Sequence, residues 1–291
     1  MKIFVTGASG WVGSAVVPEL LAAGHQVLGL ARSDKSADAV AAAGADVHRG
    51  DLTDLDSLRS GATDADAVIH LAFHHDFDNF TDAGELDRAA ITALGETLAD
   101  SGQPLVVTSG TAGHAPGQVL REDQTANPQS PRVSEQAALA FADRGVRVSI
   151  VRLAPSVHGN GDYGFVPHLV GIAREKGISG YVGDGANRWS AVHRDDAAHL
   201  FRLAVEGAPA GTVLHATGEE GVTTRAIAET IGRGLGVAVT SVPAENAMDH
   251  FGWIAGFFSL DMPAGSAVTR ERFGWQPTGI GLLEDMERHY F

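Results

Sequence analysis

The 291-residue sequence contains no cysteine. A disulfide framework, a zinc–thiolate centre and a thiol nucleophile are therefore excluded. Basic residues are also scarce, because 21 Lys and Arg stand against 36 Asp and Glu and leave a formal charge of −15. Since so acidic a chain repels a polyphosphate backbone, and no dense Lys/Arg cluster occurs, we expect no nucleic-acid partner.

Long hydrophobic runs are missing as well. The longest, such as residues 67–73, are far shorter than the ~20 apolar residues that span a bilayer. The first strand-like run reaches Thr6 and Gly7 before the core of a signal peptide can form. We therefore expect a cytoplasmic protein that has no membrane partner and acts on a small-molecule substrate.

Glycine, in contrast, is abundant, at 36 residues, which indicates tight turns and close backbone approaches. The first half of the chain alternates β-branched runs with Ala-rich stretches at βαβ spacing. This pattern predicts an α/β fold with a doubly wound parallel sheet. The predicted strands are 2–6, 26–31, 46–49, 67–71, 105–108 and 146–153, and the predicted helices are 11–23, 36–43, 55–60, 82–100 and 131–144.

After residue 153 the alternation becomes irregular. Residues 159–164 and 177–188 are interpreted as Gly-rich connections, and further helices are predicted at 166–176, 196–206, 224–234 and 264–273. The chain is thus predicted to form a dinucleotide-binding Rossmann domain over residues 1–154. A mixed, mainly substrate-binding region follows over 155–291, and its residues near 190–215 are predicted to return to the Rossmann sheet.

A glycine-rich segment at residues 6–13 follows a predicted strand and opens a helix, as a phosphate-binding turn requires. Gly7 permits the tight turn, Gly10 lets the backbone approach a pyrophosphate, and Gly13 lets helix and strand pack closely. The spacing is Gly-x-x-Gly-x-x-Gly, and a Gly-rich loop without a ligand is the alternative. We favour dinucleotide binding, with cofactor contacts from Gly7, Ser9, Gly10, Trp11, Val12 and Gly13.

The identity of the cofactor should be decided at the end of the second predicted strand, where Arg32 and Ser33 stand. An acid there would accept a hydrogen bond from a ribose 2′-hydroxyl, whereas a guanidinium and a hydroxyl match a 2′-phosphate. Two alternatives remain open: Arg32 as a solvated surface residue, and Asp34 as an acceptor for NAD. We predict NADP(H), bound through Arg32 and Ser33.

Further segments, at residues 50–53, 70–73, 106–109, 152–159, 192–197 and 269–277, are similar to the motifs of one family. Together with the glycine turn they make the chain resemble an extended-type short-chain dehydrogenase/reductase over almost its whole length. The resemblance implies a homodimer formed through the predicted helices 82–100 and 131–144, and a catalytic hydroxyl at Ser109. It also implies cofactor contacts from Asp51, Leu52, Leu71, Ala72, Phe73, Thr108, Leu153 and Pro155.

The sequence departs from that family at the proton-transfer residues. The family carries a Tyr-x-x-x-Lys pair, but here Pro131 falls at the Tyr position and Glu135 at the Lys position, while Ser134 matches the Ser before the Lys. The usual hydroxyl of the fifth strand is missing or displaced by one place, because Gly110 stands at its position and Thr111 follows. This combination resembles the atypical subgroups of the superfamily.

Reduction of a carbonyl needs a group that stabilises or protonates the developing alkoxide. We assign this role to Arg132 at a predicted helix entrance, with Thr111 and Ser109 as hydrogen-bond donors. Two alternatives stay open, namely that Arg132 is a surface residue paired with Glu135 or another nearby acid, and that Thr111 caps the local backbone. Other candidates in range are Ser134, His114, Tyr163 and His193, the last favoured as a structural residue.

The cluster of His and Asp at residues 74–78 is interpreted as a solvated loop, because adjacent histidines on an extended segment point to opposite sides. No metal is predicted. Aromatic residues at 251–254 and 257–258 either line a cleft or pack in a core. The sequence thus predicts an NADP(H)-dependent oxidoreductase that reduces a small, mainly apolar carbonyl or related unsaturated compound. The alternatives are an NADP(H)-binding regulator or redox sensor without turnover, and a nucleotide-sugar epimerase.

Overall fold

A computed structural model of the chain describes residues 1–75, 79–112, 117–125 and 132–291. Its strands are β1 (Lys2–Thr6), β2 (Gln26–Ala31), β3 (Asp46–Arg49), β4 (Ala67–His70), β5 (Pro104–Gly110), β6 (Arg147–Leu153), β7 (Ser156–His158), β8 (Ile178–Val182), β9 (Arg188–His193), β10 (Thr212–Ala216), β11 (Glu219–Thr223) and β12 (Ala238–Val242). The α-helices are α1 (Gly13–Ala22), α2 (Asp34–Ala42), α3 (Leu55–Thr63), α4 (Phe80–Leu98), α5 (Ser134–Leu139), α6 (Phe165–Lys176), α7 (Arg194–Gly207), α8 (Thr224–Leu235), α9 (Ala247–Phe251), α10 (Ala255–Phe258), α11 (Ala267–Phe273) and α12 (Leu282–His289).

Within the described residues, the main sheet has seven parallel strands in the order β10-β6-β5-β4-β1-β2-β3. Both faces are covered, since Ile3 and Val5 pack into one hydrophobic core while Phe4, between them, packs into another. The predicted doubly wound sheet is confirmed. It has one strand more than the six predicted from the first half, because β10 returns to pair with β6.

The predicted helix at 131–144 is wrong in its extent. The structure has only α5, followed by a 3-10 turn at Ala142–Arg144 that ends at Gly145 with a φ of 72°. The chain leaves the helix where the Phe141 ring packs against Gly95 of α4, so closely that a Cβ on Gly95 would lie 2.5 Å from that ring. Burying Phe141 between α4 and the sheet therefore takes precedence over continuing the helix.

The connection predicted at 177–188 is also corrected, because it contains β8, which pairs in parallel with β12. Gly180 interrupts the apolar run and hides this strand in the sequence. The structure needs glycine there, since a Cβ would lie 2.7 Å from His250 and 2.9 Å from Val242.

The second part of the chain adds a three-stranded sheet in the order β11-β9-β7, the β12-β8 pair and a third hydrophobic core that contains Trp189, Phe251 and Phe258. The domain boundary at residue 154 stays a prediction. None of the described helices is long and apolar enough to cross a membrane.

Candidate functional site

A cavity of about 1330 Å³ follows the carboxyl ends of β1, β2, β4, β5 and β6 and continues along the start of α6 to the short helices near residue 255. Ligands of open α/β sheets bind at this edge. The cavity is larger than the ~300–1,000 Å³ usual for one small molecule. All residues predicted as cofactor contacts or assigned a catalytic role line it, except Ser33, whereas the further candidates Ser134 and His193 do not.

The glycine turn has the close approaches that were predicted for it. Gly7 has a φ of +69°, and a Cβ there would lie 2.7 Å from the Ala72 nitrogen. A Cβ on Gly13 would lie 2.0 Å from the Gly7 carbonyl oxygen, whereas Gly10 donates its N–H to that same oxygen at 2.9 Å. Gly7 and Gly13 are thus fixed by packing, and Gly10 presents its backbone to the cavity.

Trp11, within this turn, reaches across to the second part of the chain. Its Nε1 donates to the Val157 carbonyl oxygen at 2.7 Å. The Arg194 guanidinium lies 4.2 Å from the centre of the indole ring, and the Tyr163 ring meets the indole edge-on at 5.6 Å. The Trp11 side chain therefore connects the glycine turn to the loop at residues 159–164.

At the end of β2, only some of the residues that were considered as contacts of the ribose line the cavity. Arg32 lines the cavity, but Ser33 is the N-cap of α2, where its Oγ accepts from the Ser36 N–H at 3.2 Å, and Ser36 lines the cavity instead. Asp34 forms an ion pair with Arg49 on β3 and does not line the cavity. This end therefore offers the Arg32 guanidinium, whereas the Ser36 hydroxyl donates to the Ser33 carbonyl oxygen at 2.8 Å within the same cap.

Asp51 is fixed by its own turn. Its Oδ1 accepts from both the N–H and the hydroxyl of Thr53 at 2.9 Å. These hydrogen bonds lower the pKa of Asp51, and the charge of Arg32 lowers it further. The carboxylate thus stays ionised beside Arg32.

Two buried hydroxyls at the opposite end of the sheet edge have no hydrogen-bond partner among the described residues. They are Thr108 Oγ1 and Ser156 Oγ, and both residues line the cavity. An unsatisfied buried polar group costs about 1–3 kcal/mol, so a ligand with hydrogen-bonding groups suits this place. The hydroxyl and amide groups of a nicotinamide riboside are of that kind. Thr108 was predicted, whereas Ser156 was missed, although it directly follows Pro155.

Arg132 faces the cavity. Its guanidinium lies 4.4 Å from the centre of the Phe73 ring, and its Nη2 donates to the Thr108 carbonyl oxygen at 3.4 Å. Burial lowers the pKa of Arg132, and the nearby carboxylate of Asp87 acts in the opposite direction. Arg132 is not paired with Glu135, which has another partner, and the nearby acid is Asp87.

That partner is Arg152 of β6. Arg152 Nη2 and Nε donate to the two carboxylate oxygens of Glu135 at 2.6 and 2.9 Å, and both side chains are buried. Arg152 Nη1 also lies 3.2 Å from Nε2 of His215, whose Nδ1 donates to the Gly265 carbonyl oxygen at 2.7 Å. The position that resembles the family's Lys is thus part of a structural ion pair. Pro131 and His114 lie outside the described residues.

A buried chain of hydrogen bonds runs beneath the cavity. The Ala72 N–H donates to Thr6 Oγ1 at 3.2 Å, and this oxygen lies 2.9 Å from His70 Nδ1. His70 Nε2 lies 3.0 Å from Asp87 Oδ1, and Ser134 Oγ donates to Asp87 Oδ2 at 2.5 Å. Asp87 of α4 thereby connects the cofactor side of the sheet to the start of α5. Nothing in the sequence distinguishes Asp87 from the other acids of its helix.

The remaining candidates have clear places. The Thr111 hydroxyl lies 3.4 Å from Ser190 Oγ, and its N–H donates to the Leu153 carbonyl oxygen. Residues 113–116, whose backbone it would cap, lie outside the described residues. Ser109 lines the cavity and is buried. His193 lies at the N-terminus of α7, where its Nδ1 accepts from the Asp195 N–H.

No group of three or more metal-ligating side chains occurs in the described parts of the chain. Residues 76–78 of the predicted loop lie outside them. His75 lines the cavity, and its pKa is lowered by burial and by the charge of Arg132.

The far end of the cavity is aromatic. Phe165, Trp253 and Phe257 line it, whereas Phe251 and Phe258 belong to the core. Both interpretations of the aromatic segments are therefore correct, for different residues.

Residues 3–215 match the sequence model of the NAD dependent epimerase/dehydratase family. The chain belongs to this family, which confirms the resemblance to extended short-chain dehydrogenases/reductases.

The chain is 48% identical over 295 residues to an uncharacterized protein of Saccharomyces cerevisiae, with 100% of this chain and 99% of that protein covered. It is 32% identical over 229 residues to the 2-alkyl-3-oxoalkanoate reductase of Stenotrophomonas maltophilia, covering 72% of this chain and 67% of that protein. A solved structure of dTDP-glucose 4,6-dehydratase from Streptomyces venezuelae with NAD bound has a TM-score of 0.78 and 23% identity, over 100% of this chain and 96% of that one. This last likeness shows the fold.

Proposed function

We propose that the protein is an NADP(H)-dependent oxidoreductase that reduces a small, mainly apolar carbonyl or related unsaturated compound. The observation that supports this most is the single cavity, which runs from the glycine turn past Arg132 to the aromatic end. A nicotinamide dinucleotide suits the first part and a substrate the second. The name of the S. maltophilia relative, a reductase of an oxo compound, supports the same reaction class.

The choice of NADP(H) rests on Arg32. It lines the cavity at the end of β2, while Asp34, the residue that could accept from a free ribose diol, is held by Arg49. A guanidinium pairs with a 2′-phosphate through charge-assisted hydrogen bonds.

Bound in this cavity, NADPH would supply the hydride, the protein would supply orientation and charge, and the resulting alkoxide would take its proton from water. Arg132 provides a positive charge that stabilises the oxyanion as it develops. Phe73 and the Thr108 carbonyl oxygen hold the guanidinium at its place, and Asp87 balances its charge. Thr111 and Ser109 line the cavity as hydrogen-bond donors for the same oxygen.

NADPH consumption by the purified protein, measured with a panel of aldehydes, ketones, imines and enones, tests this proposal. We expect turnover of apolar carbonyls and slower turnover with NADH. Arg132→Ala should lower the rate. Arg144→Ala is the matched control, because Arg144 also stacks on a phenylalanine, at 4.8 Å from the Phe141 ring centre, but does not line the cavity.

A regulator that binds NADP(H) without turnover is the second candidate. It is favoured by Glu135, which resembles the family's Lys position but is engaged by Arg152. Tight NADPH binding without consumption of any compound in the panel would favour it. The cytoplasmic location and the homodimer stay predictions.

A further inference from the structure

We infer that the aromatic end of the cavity binds a flat, uncharged ring, so that the substrate is an aryl ketone or aldehyde. This inference rests on the proposed function, and it specifies the substrate class of the same site. It depends on the arrangement of the rings, on their exposure and on the charges around them.

The rings come from two segments that face each other. Phe165 begins α6, and its ring centre lies 4.8 Å from that of Phe257 and 6.1 Å from that of Trp253. His168, one turn further along α6, lies 5.1 Å from Trp253 with only 33° between the ring planes. Aromatic side chains in such groups attract further rings by offset stacking and edge-to-face contact.

A rigid layer supports these rings from behind. Trp189 on β9 is fully buried, and its ring centre lies 5.9 Å from Phe165 and 5.3 Å from Phe257. In front, Trp253 is 45% exposed and Leu260 is 37% exposed, and both line the cavity. Apolar side chains left open in a concave site, on a packed base, are typical of a ligand pocket.

The charges at this end favour an uncharged ligand. Among the described residues that line the cavity, the Lys and Arg side chains are Arg32 and Arg132, at the end of β2 and just before α5. The aromatic end instead has Asp162, whose Oδ1 accepts from the Gly164 N–H and whose Oδ2 accepts from the Tyr290 hydroxyl, both at 2.7 Å. A nucleoside diphosphate sugar needs cations beside its phosphates, and no Lys or Arg among the described residues lines this end.

Three probes test the inference by binding alone, with the full chain saturated with NADP⁺ so that no turnover occurs. They are acetylnaphthalene, its saturated analogue acetyldecalin and UDP-glucose, each titrated by calorimetry. We expect acetylnaphthalene to bind roughly three- to tenfold more tightly than acetyldecalin, and UDP-glucose more weakly than either. Equal affinity for the two ketones, or tighter binding of UDP-glucose, would overturn the inference.

Single substitutions test which residues produce the preference for the aryl ketone. Trp253→Leu and Phe257→Leu should each remove most of the preference for the aryl ketone and leave NADP⁺ affinity unchanged, while Trp253→Phe should keep it. Met248→Leu is the control, because Met248 is exposed nearby but does not line the cavity. A preference that survives both leucine variants would also overturn the inference.

The two proposals fail in different ways. Preferential binding of the aryl ketone without NADPH consumption supports the ring site and contradicts the oxidoreductase. Turnover of both ketones, with equal affinity for the aryl and the saturated compound, supports the oxidoreductase and contradicts the ring site.

Discussion

The two ends of the cavity are built from different parts of the chain. The cofactor end depends on a short glycine motif whose backbone meets other backbone, since a side chain on Gly7 would strike Ala72 and one on Gly13 would strike Gly7. The aromatic end depends on side chains, and it brings Phe165 together with Trp253 and Phe257 across a long stretch of sequence. The cofactor end is therefore readable as a motif, whereas the aromatic end becomes visible only in three dimensions.

The largest effect is expected at Glu135, which stands at the position of the family's Lys but forms a buried ion pair with Arg152. Glu135→Lys would replace a buried carboxylate with a second cation beside Arg152, and the free energy of unfolding should fall by about 3–5 kcal/mol. Chemical denaturation measures this, with Glu245→Lys, at an exposed position, as the control. Unchanged stability would mean that the ion pair has no structural role.

The point where the two ends meet is tested by Arg132→Ala. We expect kcat to fall by about 10²–10³, because a donor aimed at developing charge acts mainly in the transition state. Thr111→Ala should have a smaller effect in the same direction. Single-turnover rates at saturating NADPH are the measurement. If both variants react at the wild-type rate on an established substrate, neither residue has the assigned role.

Gly10→Val should impair cofactor binding and leave the rest of the molecule intact. A branched side chain at the turn blocks backbone contact with the pyrophosphate, so we expect NADPH affinity to drop by about a hundredfold. Binding is measured by calorimetry, and the melting temperature shows whether the variant folds. Gly171→Val on α6, where an added Cβ meets nothing within 4 Å, is the matched control. Undiminished affinity in folded Gly10→Val would contradict the assignment of the turn.

The smallest effect concerns the choice between two dinucleotides. Arg32→Ala should weaken NADPH by roughly tenfold to a hundredfold, equivalent to ~1.5–3 kcal/mol, and leave NADH nearly unchanged. Arg59→Ala, an arginine of α3 outside the cavity, should change neither affinity. A wild type that prefers NADH, or equal losses for both dinucleotides, would show that the end of β2 was misinterpreted.

The interior strands of the Rossmann part were predicted closely, because strands buried on both faces appear as continuous apolar runs. The exposed edge strand β3 was predicted from its βαβ spacing instead. The bounds of β1, β2 and β3 agree with the sequence prediction to the residue. β8 was missed because Gly180 is selected by contacts with β12 and His250, which are distant in sequence.

The same reason separates the predicted and the missed parts of the site. Arg132 and Thr111 follow from a resemblance that is read along the chain, and both line the cavity. The partners that hold the site, Asp87 beside Arg132 and Arg152 beside Glu135, belong to other elements. Ser33 was chosen for its place in sequence, but the start of α2 uses its hydroxyl as a cap.

Trp11 links the cofactor end of the cavity to the second part of the chain. One side of its ring belongs to the glycine turn, and the other side is held by Val157, Arg194 and Tyr163. A ligand that shifts the turn would therefore also act on the loop at residues 159–164, and a ligand at that loop would act on the turn. Such coupling is reciprocal by thermodynamic necessity. We expect the first ligand to raise the affinity for the second by the same factor, whichever of the two binds first.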